Sequence, residues 1–201
     1  MLPCSLKPEP VTFDTQVRQP GQMWLAAHST GTVKDYWRTC AGDLADAFDC
    51  LCAYSAMFCE EDGAEVDHYH PSSTHRHLAY EWSNYRHAAA KVNRRKQARQ
   101  VMDPFSIGAG WFAIRLPDLH AYVTTACPTQ HSQSANDFLD ILALRNGSAA
   151  IRQRQRRMRD YFLQSDLFWL ERTAPLLAHS VQNTSPALMD QMHNAYAMYP
   201  R

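Results

Sequence analysis

Several features that would assign this 201-residue chain to a common class are missing from its sequence. Its formal net charge is zero, which argues against a protein that coats nucleic acid without specificity. No apolar run approaches the length of a membrane span, and residues 1–8 contain no apolar core of a secretory signal peptide. The sequence therefore predicts a cytoplasmic protein that has no membrane partner.

The cysteines also lack the pattern of a zinc site. They stand at positions 4, 40, 50, 52, 59 and 127, and no Cys-x-x-Cys pair occurs among them. Tetrahedral structural zinc needs four nitrogen or sulfur ligands, usually supplied by such short spacings. Most of the cysteines fall where apolar residues would fit the pattern, so we expect buried, reduced thiols, with disulfides as the minor alternative.

The composition fits one folded domain with extensions. An apolar fraction of 45% over this length can build a substantial core. The pattern of elements predicts an α+β protein with three parts. These are an N-terminal arm and helix at 1–50, a central core at 51–106, and a C-terminal strand and helical extension at 107–201.

Local signals predict the elements of the first two parts. Asp35 is expected to cap a helix that runs to about residue 49. The pair Asp62-Gly63 separates the apolar runs 51–59 and 64–69, and this arrangement predicts a hairpin between them. A helix is predicted from residue 83 or 84 to about residue 102, because this stretch contains neither Gly nor Pro.

The third part is predicted to be mainly helical. Short apolar alternations after Gly110 predict one or two strands within 107–122, followed by a loop at 124–134. Apolar periodicity then predicts a series of helices. They cover 135–146, 148–164, 166–181 and, as a short amphipathic helix, 187–198.

A polar constellation with catalytic chemistry begins at Asp67-His68. Asn84 follows sixteen residues after His68, and Asn93 nine residues later. Carboxylate and amide oxygens suit a hard cation such as Mg²⁺ or Mn²⁺, which takes few protein ligands and keeps several waters. Asp67 and Asn93 would therefore suffice as ligands, and His68 would remain free to activate water as a general base.

These residues and their surroundings resemble the HNH endonuclease family. The resemblance is carried by EVDHYHP at 65–71, LAYEWSN at 78–84 and VNRRK at 92–96, and by flanking segments at 17–21, 52–55, 103–105 and 110–112. It implies a β-hairpin and helix folded around a metal ion, the ββα-metal core, between a helical arm and a helical extension. It also implies Asp67 and Asn93 as metal ligands, His68 as the general base and Asn84 as the residue that braces the His68 loop.

One feature departs from the family. Many HNH proteins hold a structural zinc between two cysteine pairs, whereas the matching helix positions here are Ala89 and Val92. We therefore expect no structural zinc and a core held by packing. Relatives of this kind are often encoded in bacterial anti-phage defence systems, some beside an ATPase subunit. The resemblance thus implies a role in antiviral defence and a partner such as an ATPase or another defence-system subunit.

Basic residues are concentrated beside the constellation. The stretch from Arg86 to Arg99 contains six Lys or Arg and no acid, whereas 43–67 contains several acids and no Lys or Arg. Such a strip beside a metal-binding acid suits a phosphate backbone. The residues predicted to contact nucleic acid are Arg86, Lys91, Arg94, Arg95 and Lys96. A second basic run, 152–159, spreads around a helix axis, so a solvated face or a partner surface is predicted at least as strongly as a nucleic-acid groove.

Other interpretations stay open. Taken alone, Asp67-His68 would be two polar residues of a surface turn. A metallohydrolase centre could be built from His70, His75, His77 and His87, although they lack a His-x-x-x-His pair. The functional alternatives to a DNA endonuclease are an RNase using the same site, and an HNH-like nucleic-acid-binding or adaptor module without catalysis.

Overall fold

The computed structural model describes residues 3–60 and 63–197, which form a mixed α+β protein. Two compact units divide them. The unit called here the hairpin unit contains 4–55 and 59–106, and the helical unit contains 107–197 with Pro3 and 56–58. The arm predicted at 1–50 and the core predicted at 51–106 thus share one unit. Within the described ranges, no helix is long and apolar enough to cross a membrane.

The hairpin unit contains three of the α-helices and one pair of strands. Its elements in chain order are a π-helical turn (Asp14–Arg18), α1 (Gln19–Ala27), a 3-10 turn (Tyr36–Cys40), α2 (Ala41–Ala47), β1 (Ala64–His68), two 3-10 turns (Arg76–Leu78 and Trp82–Asn84), β2 (Tyr85–Ala89), α3 (Ala90–Lys96) and a 3-10 turn (Pro104–Ser106). Strands β1 and β2 are antiparallel, and α3 follows β2 directly.

Aromatic packing holds the arm against the strands. Phe13 is buried and meets Trp82 and Tyr85 edge to face, with ring centroids 5.5 and 5.8 Å apart. Helix α1 approaches closely enough that a Cβ added at Gly21 would overlap the ring of Tyr80. Because a side chain larger than hydrogen cannot fit there, Gly21 sets the distance between α1 and this core.

Strand alternation separates the two faces of the β1–β2 pair. Adjacent residues of a strand point to opposite faces. Glu65 and Asp67 therefore share the face that contacts α3, since their side chains bind residues of that helix. Val66 and His68 share the other face, and their register partners on β2 are His87 and Tyr85.

The hairpin predicted around Asp62-Gly63 is wrong in its pairing. The register partner of β1 is β2, not the apolar run 51–59. That run folds back on itself instead, and the Cys59 N–H donates to the Cys50 carbonyl at 2.9 Å. Glu61 and Asp62 of the predicted turn lie outside the described residues. Local sequence signals could not predict the pairing of β1 with β2, because a long loop separates the two strands.

The single helix predicted from residue 83 or 84 to about 102 is also wrong. Tyr85–Ala89 forms β2, and helix α3 covers only Ala90–Lys96. Gln97, with φ of +50°, ends α3. The absence of Gly and Pro permits a helix, but pairing with β1 overrides that local preference. The helix predicted after Asp35 is likewise shorter, since a 3-10 turn precedes α2 and Asp35 makes no capping hydrogen bond.

The helical unit begins with a second antiparallel pair and continues as helices. Its elements are β3 (Phe112–Arg115), β4 (His120–Val123), α4 (Thr129–Ile141), α5 (Ser148–Gln164), α6 (Leu167–Thr173), α7 (Pro175–Gln182) and α8 (Pro186–Ala197). The boundaries predicted for 148–164 are confirmed. Helix α4 begins earlier than predicted, and the helix predicted over 166–181 is divided because Pro175 has no N–H to continue it.

One arginine of α5 is part of the interior. Arg154 is 3% exposed, and desolvation lowers the pKa of its guanidinium to about 10. The guanidinium donates to the backbone carbonyls of Leu119 and Leu144, each at 2.7 Å, and to that of Arg145 at 3.3 Å. Arg154 therefore donates hydrogen bonds to backbone carbonyls next to β4 and after α4. It is not part of the basic surface predicted for 152–159.

Candidate functional site

Asp67 lies at the centre of a buried hydrogen-bond network between β1 and α3. Its side chain is 5% exposed and that of Lys96 is fully buried. The Lys96 ammonium donates to Asp67 Oδ1 at 3.0 Å and to the His68 carbonyl at 2.9 Å. The Tyr54 hydroxyl donates to Asp67 Oδ2. The network joins the end of β1 to the last turn of α3 and neutralises the Asp67 carboxylate within the protein.

His68, the adjacent residue, points to the opposite face. Its ring meets Trp37 and Tyr85 edge to face, with centroids 4.6 and 5.2 Å apart. His68 Nε2 lies 2.8 Å from the Ala79 carbonyl oxygen. Because a carbonyl only accepts, Nε2 carries the hydrogen and, in the neutral ring, Nδ1 carries the lone pair.

The environment of His68 favours this neutral form. Desolvation by burial lowers the pKa of His68 below its ordinary value of 6.5. No hydrogen bond to Nδ1 is found within 3–60 and 63–197. A neutral imidazole with one nitrogen fixed by a carbonyl and the other unpaired can accept a proton from water.

Asn84 fixes the loop that leaves β1. Its side chain is buried, and Oδ1 accepts the backbone N–H of His70 at 2.8 Å. Its Nδ2 donates to the carbonyls of His70 and Leu78, each at 3.0 Å. One amide therefore uses its acceptor and both of its donors to join two points of the loop that begins beside His68.

Asn93 lies on α3 and contacts the same strand as Lys96 does. Its Nδ2 donates to Glu65 Oε2 at 2.8 Å. Glu65 and Asp67 share one face of β1, so Asn93 and Lys96 approach that face from the same helix. Carboxylate and amide oxygens of this kind fit a hard cation in their chemistry. A cation at Asp67 would compete there with the charge that Lys96 supplies.

The histidines do not form an alternative metal centre. The ring centroids of His70 and His75 are 5.0 Å apart, and those of His75 and His77 are 6.2 Å apart. Within the described ranges, no three His, Cys, Asp or Glu residues are arranged to hold a metal ion. His87 lies on the face of β2 away from α3. Burial lowers the pKa of His87.

The predicted phosphate contacts divide into two groups. Arg86 is 2% exposed and makes hydrogen bonds with both carboxylate oxygens of Asp103, from Nη2 at 2.8 Å to each. Its guanidinium also lies 3.6 Å from the Phe105 ring centroid. Arg86 and Lys96 are therefore buried and paired with carboxylates of the protein, so they are not offered to a phosphate backbone here. The side chains on the exposed surface of α3 are Lys91, Arg94 and Arg95.

Two participants in the site were not assigned from the sequence. Tyr54 lies in a flanking segment that carries the resemblance, but its hydrogen bond to Asp67 spans 13 residues. Glu65 lies two residues before Asp67, and side chains two residues apart in a strand share a face. That spacing could have predicted Glu65 on the same face as Asp67. No family model matches this chain, and a search of curated proteins found no match either.

Proposed function

We propose that this protein is a metal-dependent HNH endonuclease that hydrolyses phosphodiester bonds in DNA. The observation that carries the proposal is Asn84, whose three hydrogen bonds hold the loop beside His68 as the resemblance expects. The order β1, loop, β2 and α3 further supports a ββα-metal core, with Asp67 on β1 and Asn93 on α3. The role in antiviral defence beside an ATPase or other defence-system subunit rests on the resemblance alone, and the cytoplasmic location remains the prediction made from the sequence.

His68 is the proposed general base. Its Nδ1 takes a proton from water, and the resulting hydroxide attacks phosphorus in line with the P–O bond that breaks. The Ala79 carbonyl keeps the Nε2–H hydrogen-bonded, which orients the ring and stabilises the imidazolium that forms. Lowering of the pKa by burial keeps the base unprotonated at neutral pH.

The metal site of the proposal is Asp67 with Asn93. When bound there, Mg²⁺ or Mn²⁺ would supply positive charge to the phosphate and to the leaving oxygen. The side chains of Asp67 and His68 point to opposite faces of β1 in this structure, so the end of β1 must turn for both to reach one phosphate. The resident Lys96 ammonium orients the Asp67 carboxylate through its contact with Oδ1. Structural zinc is not part of the proposal, because Ala89 and Val92 occupy the positions of zinc-binding cysteines.

The exposed basic residues of α3 are the proposed contacts to DNA. Lys91, Arg94 and Arg95 project from the helix that also carries Asn93. Contacts of this kind bind the phosphate backbone without reading the base sequence. The zero net charge of the chain means that attraction to DNA depends on this local strip.

A cleavage assay tests the proposal. Supercoiled plasmid, single-stranded DNA and tRNA are incubated with the purified protein in Mg²⁺, Mn²⁺ or EDTA. We expect either DNA substrate to be cut in the presence of the metals and to remain intact in EDTA. Cleavage of tRNA alone would instead identify an RNase that uses the same site.

The buried Lys96–Asp67 pair favours a second candidate function, an HNH-like nucleic-acid-binding or adaptor module without catalysis. If Lys96 remains paired with Asp67, its ammonium permanently occupies the position where a metal ion would bind, and no catalytic cation can take its place. The same assay distinguishes the two candidates. Salt-sensitive DNA binding without cleavage in either metal would establish the non-catalytic module.

A further inference from the structure

A small pocket lies on the face of the β1–β2 pair that points away from α3. Ala41, Gly42 and Ala45 of α2 line one side, residues 64–66 of β1 line another, and His87 of β2 completes the wall. Its volume is about 150 Å³. An engineered apolar cavity of about this volume in another protein binds benzene, so a single aromatic ring is the size of ligand to consider.

Gly42 is an exposed residue of the pocket rim and contributes no side chain to it. A Cβ added at Gly42 would meet no atom within 4 Å. The other side chains in the wall are three alanines and Val66, while Glu65 also borders the pocket but directs its carboxylate to Asn93 on the opposite face of the strand pair. The walls therefore offer apolar contact to a planar ring and offer little to a charged group, which would lose its hydration on entry.

His87 gives the pocket its polar feature. The residue is 3% exposed, and its Nε2 is buried without a hydrogen-bond partner in the described part of the chain. Its neutral ring has one donor and one acceptor nitrogen. A buried polar atom without a partner is unfavourable, so a ligand that supplies the hydrogen bond gains affinity.

We propose that this pocket binds a small uncharged aromatic molecule that carries one hydroxyl group, with its ring against the alanines and its hydroxyl on His87. A hydroxyl can both donate and accept, so it suits either nitrogen of the ring. The inference does not depend on the proposed nuclease activity. The Val66–His87 pair is, however, two register positions from the His68–Tyr85 pair on the same face, so an occupant would contact the strands that carry the candidate site.

Phenol and benzene are suitable probes, titrated into the full-length protein and followed by amide chemical shifts in NMR spectra. We expect saturable shifts at Gly42, Val66 and His87. Gly42→Leu should fill the pocket and abolish the chemical-shift changes caused by phenol as well as those caused by benzene. Ala26→Leu, which adds an equally large side chain at an exposed position of α1, should leave them unchanged.

A second variant tests the hydrogen bond separately. His87→Phe keeps a ring in the wall and removes its polar atoms, so phenol affinity should fall about tenfold while benzene affinity is retained. Non-saturable shifts with wild-type protein, or equal phenol affinities in wild type and Gly42→Leu, would overturn the proposal. If Gly42→Leu does not fold, His87→Phe decides it, and an unchanged ratio of phenol to benzene affinity would overturn the role of His87.

Discussion

Replacing Lys96 with Met should strongly destabilise the hairpin unit. Met has a similar length and fills the same space, so the change mainly removes the ammonium and its hydrogen bonds to Asp67 and the His68 carbonyl. The Asp67 carboxylate would then stay buried with Tyr54 as its remaining donor in the described structure. Removing one partner of a buried ion pair costs about 3–5 kcal/mol. A domain whose stability is about 5–15 kcal/mol would lose a large share of it.

Amide hydrogen exchange measures this loss in the hairpin unit separately from the helical unit. Peptides covering β1 and α3 report the free energy of opening of the elements that the pair joins. Lys91→Met is the matched control, because Lys91 is exposed on the same helix and its replacement should change stability by no more than about 0.5 kcal/mol.

The double variant Asp67→Leu/Lys96→Met provides a further check on the mechanism. Removing both charges leaves no unpaired ion in the interior, so the double variant should be more stable than Lys96→Met alone. If Lys96→Met lowered the free energy of unfolding by less than about 1 kcal/mol, the reasoning would be refuted, because a buried carboxylate that has lost its ion-pair partner destabilises the fold by more than this. It would show that Asp67 is hydrated or that Lys96 is not its partner.

Three further predictions concern stability and DNA binding. Arg154→Met should lower stability by about 2–4 kcal/mol, measured by urea unfolding, because the carbonyls of Leu119 and Leu144 lose the guanidinium as donor, while that of Arg145 keeps the Ala121 N–H. Because burial lowers the pKa of His87 below 6.5, the unfolded state binds more protons than the folded state between the two values. The contribution of neutral His87 to stability is therefore fully present above pH 6.5 and is lost as pH falls through the folded-state pKa. In thermal melts, His87→Phe should show a smaller loss of stability over this pH range. Arg94→Gln/Arg95→Gln should weaken DNA binding and lower its salt slope by about two units, whereas the exposed Arg156→Gln of α5 should not change the slope in the same titrations.

The positions of Asn84 and Lys96 illustrate what the sequence could and could not predict. The resemblance to the HNH family implied that Asn84 braces the loop, and the structure gives it three hydrogen bonds to that loop. Lysine is almost never fully buried unless it is paired, so local pattern assigned Lys96 to the surface. Its partner Asp67 is 29 residues away, and only the register of β1 against β2 and α3 brings the two together.

Arg86 was misjudged for the same reason. Its partner Asp103 is 17 residues away, beyond the end of α3, and a charge strip in the sequence does not show which of its members are paired. Strand β2 was missed because Tyr85–Ala89 contains alanines and no turn residue, so only its contact with β1 identifies it. The interruption at Pro175, in contrast, could have been predicted from the missing N–H of proline.

The central claim, that His68 is the base of a phosphodiesterase, is tested most directly by single-turnover cleavage of bound DNA in Mg²⁺. His68→Gln keeps an N–H for the Ala79 carbonyl but lacks a basic nitrogen, and His77→Ala is the control at a neighbouring exposed histidine. The account predicts that His68→Gln cleaves about 10²- to 10⁴-fold more slowly than wild type while binding DNA equally well, and that His77→Ala is unaffected. Cleavage by His68→Gln at the wild-type rate would contradict the assignment of His68.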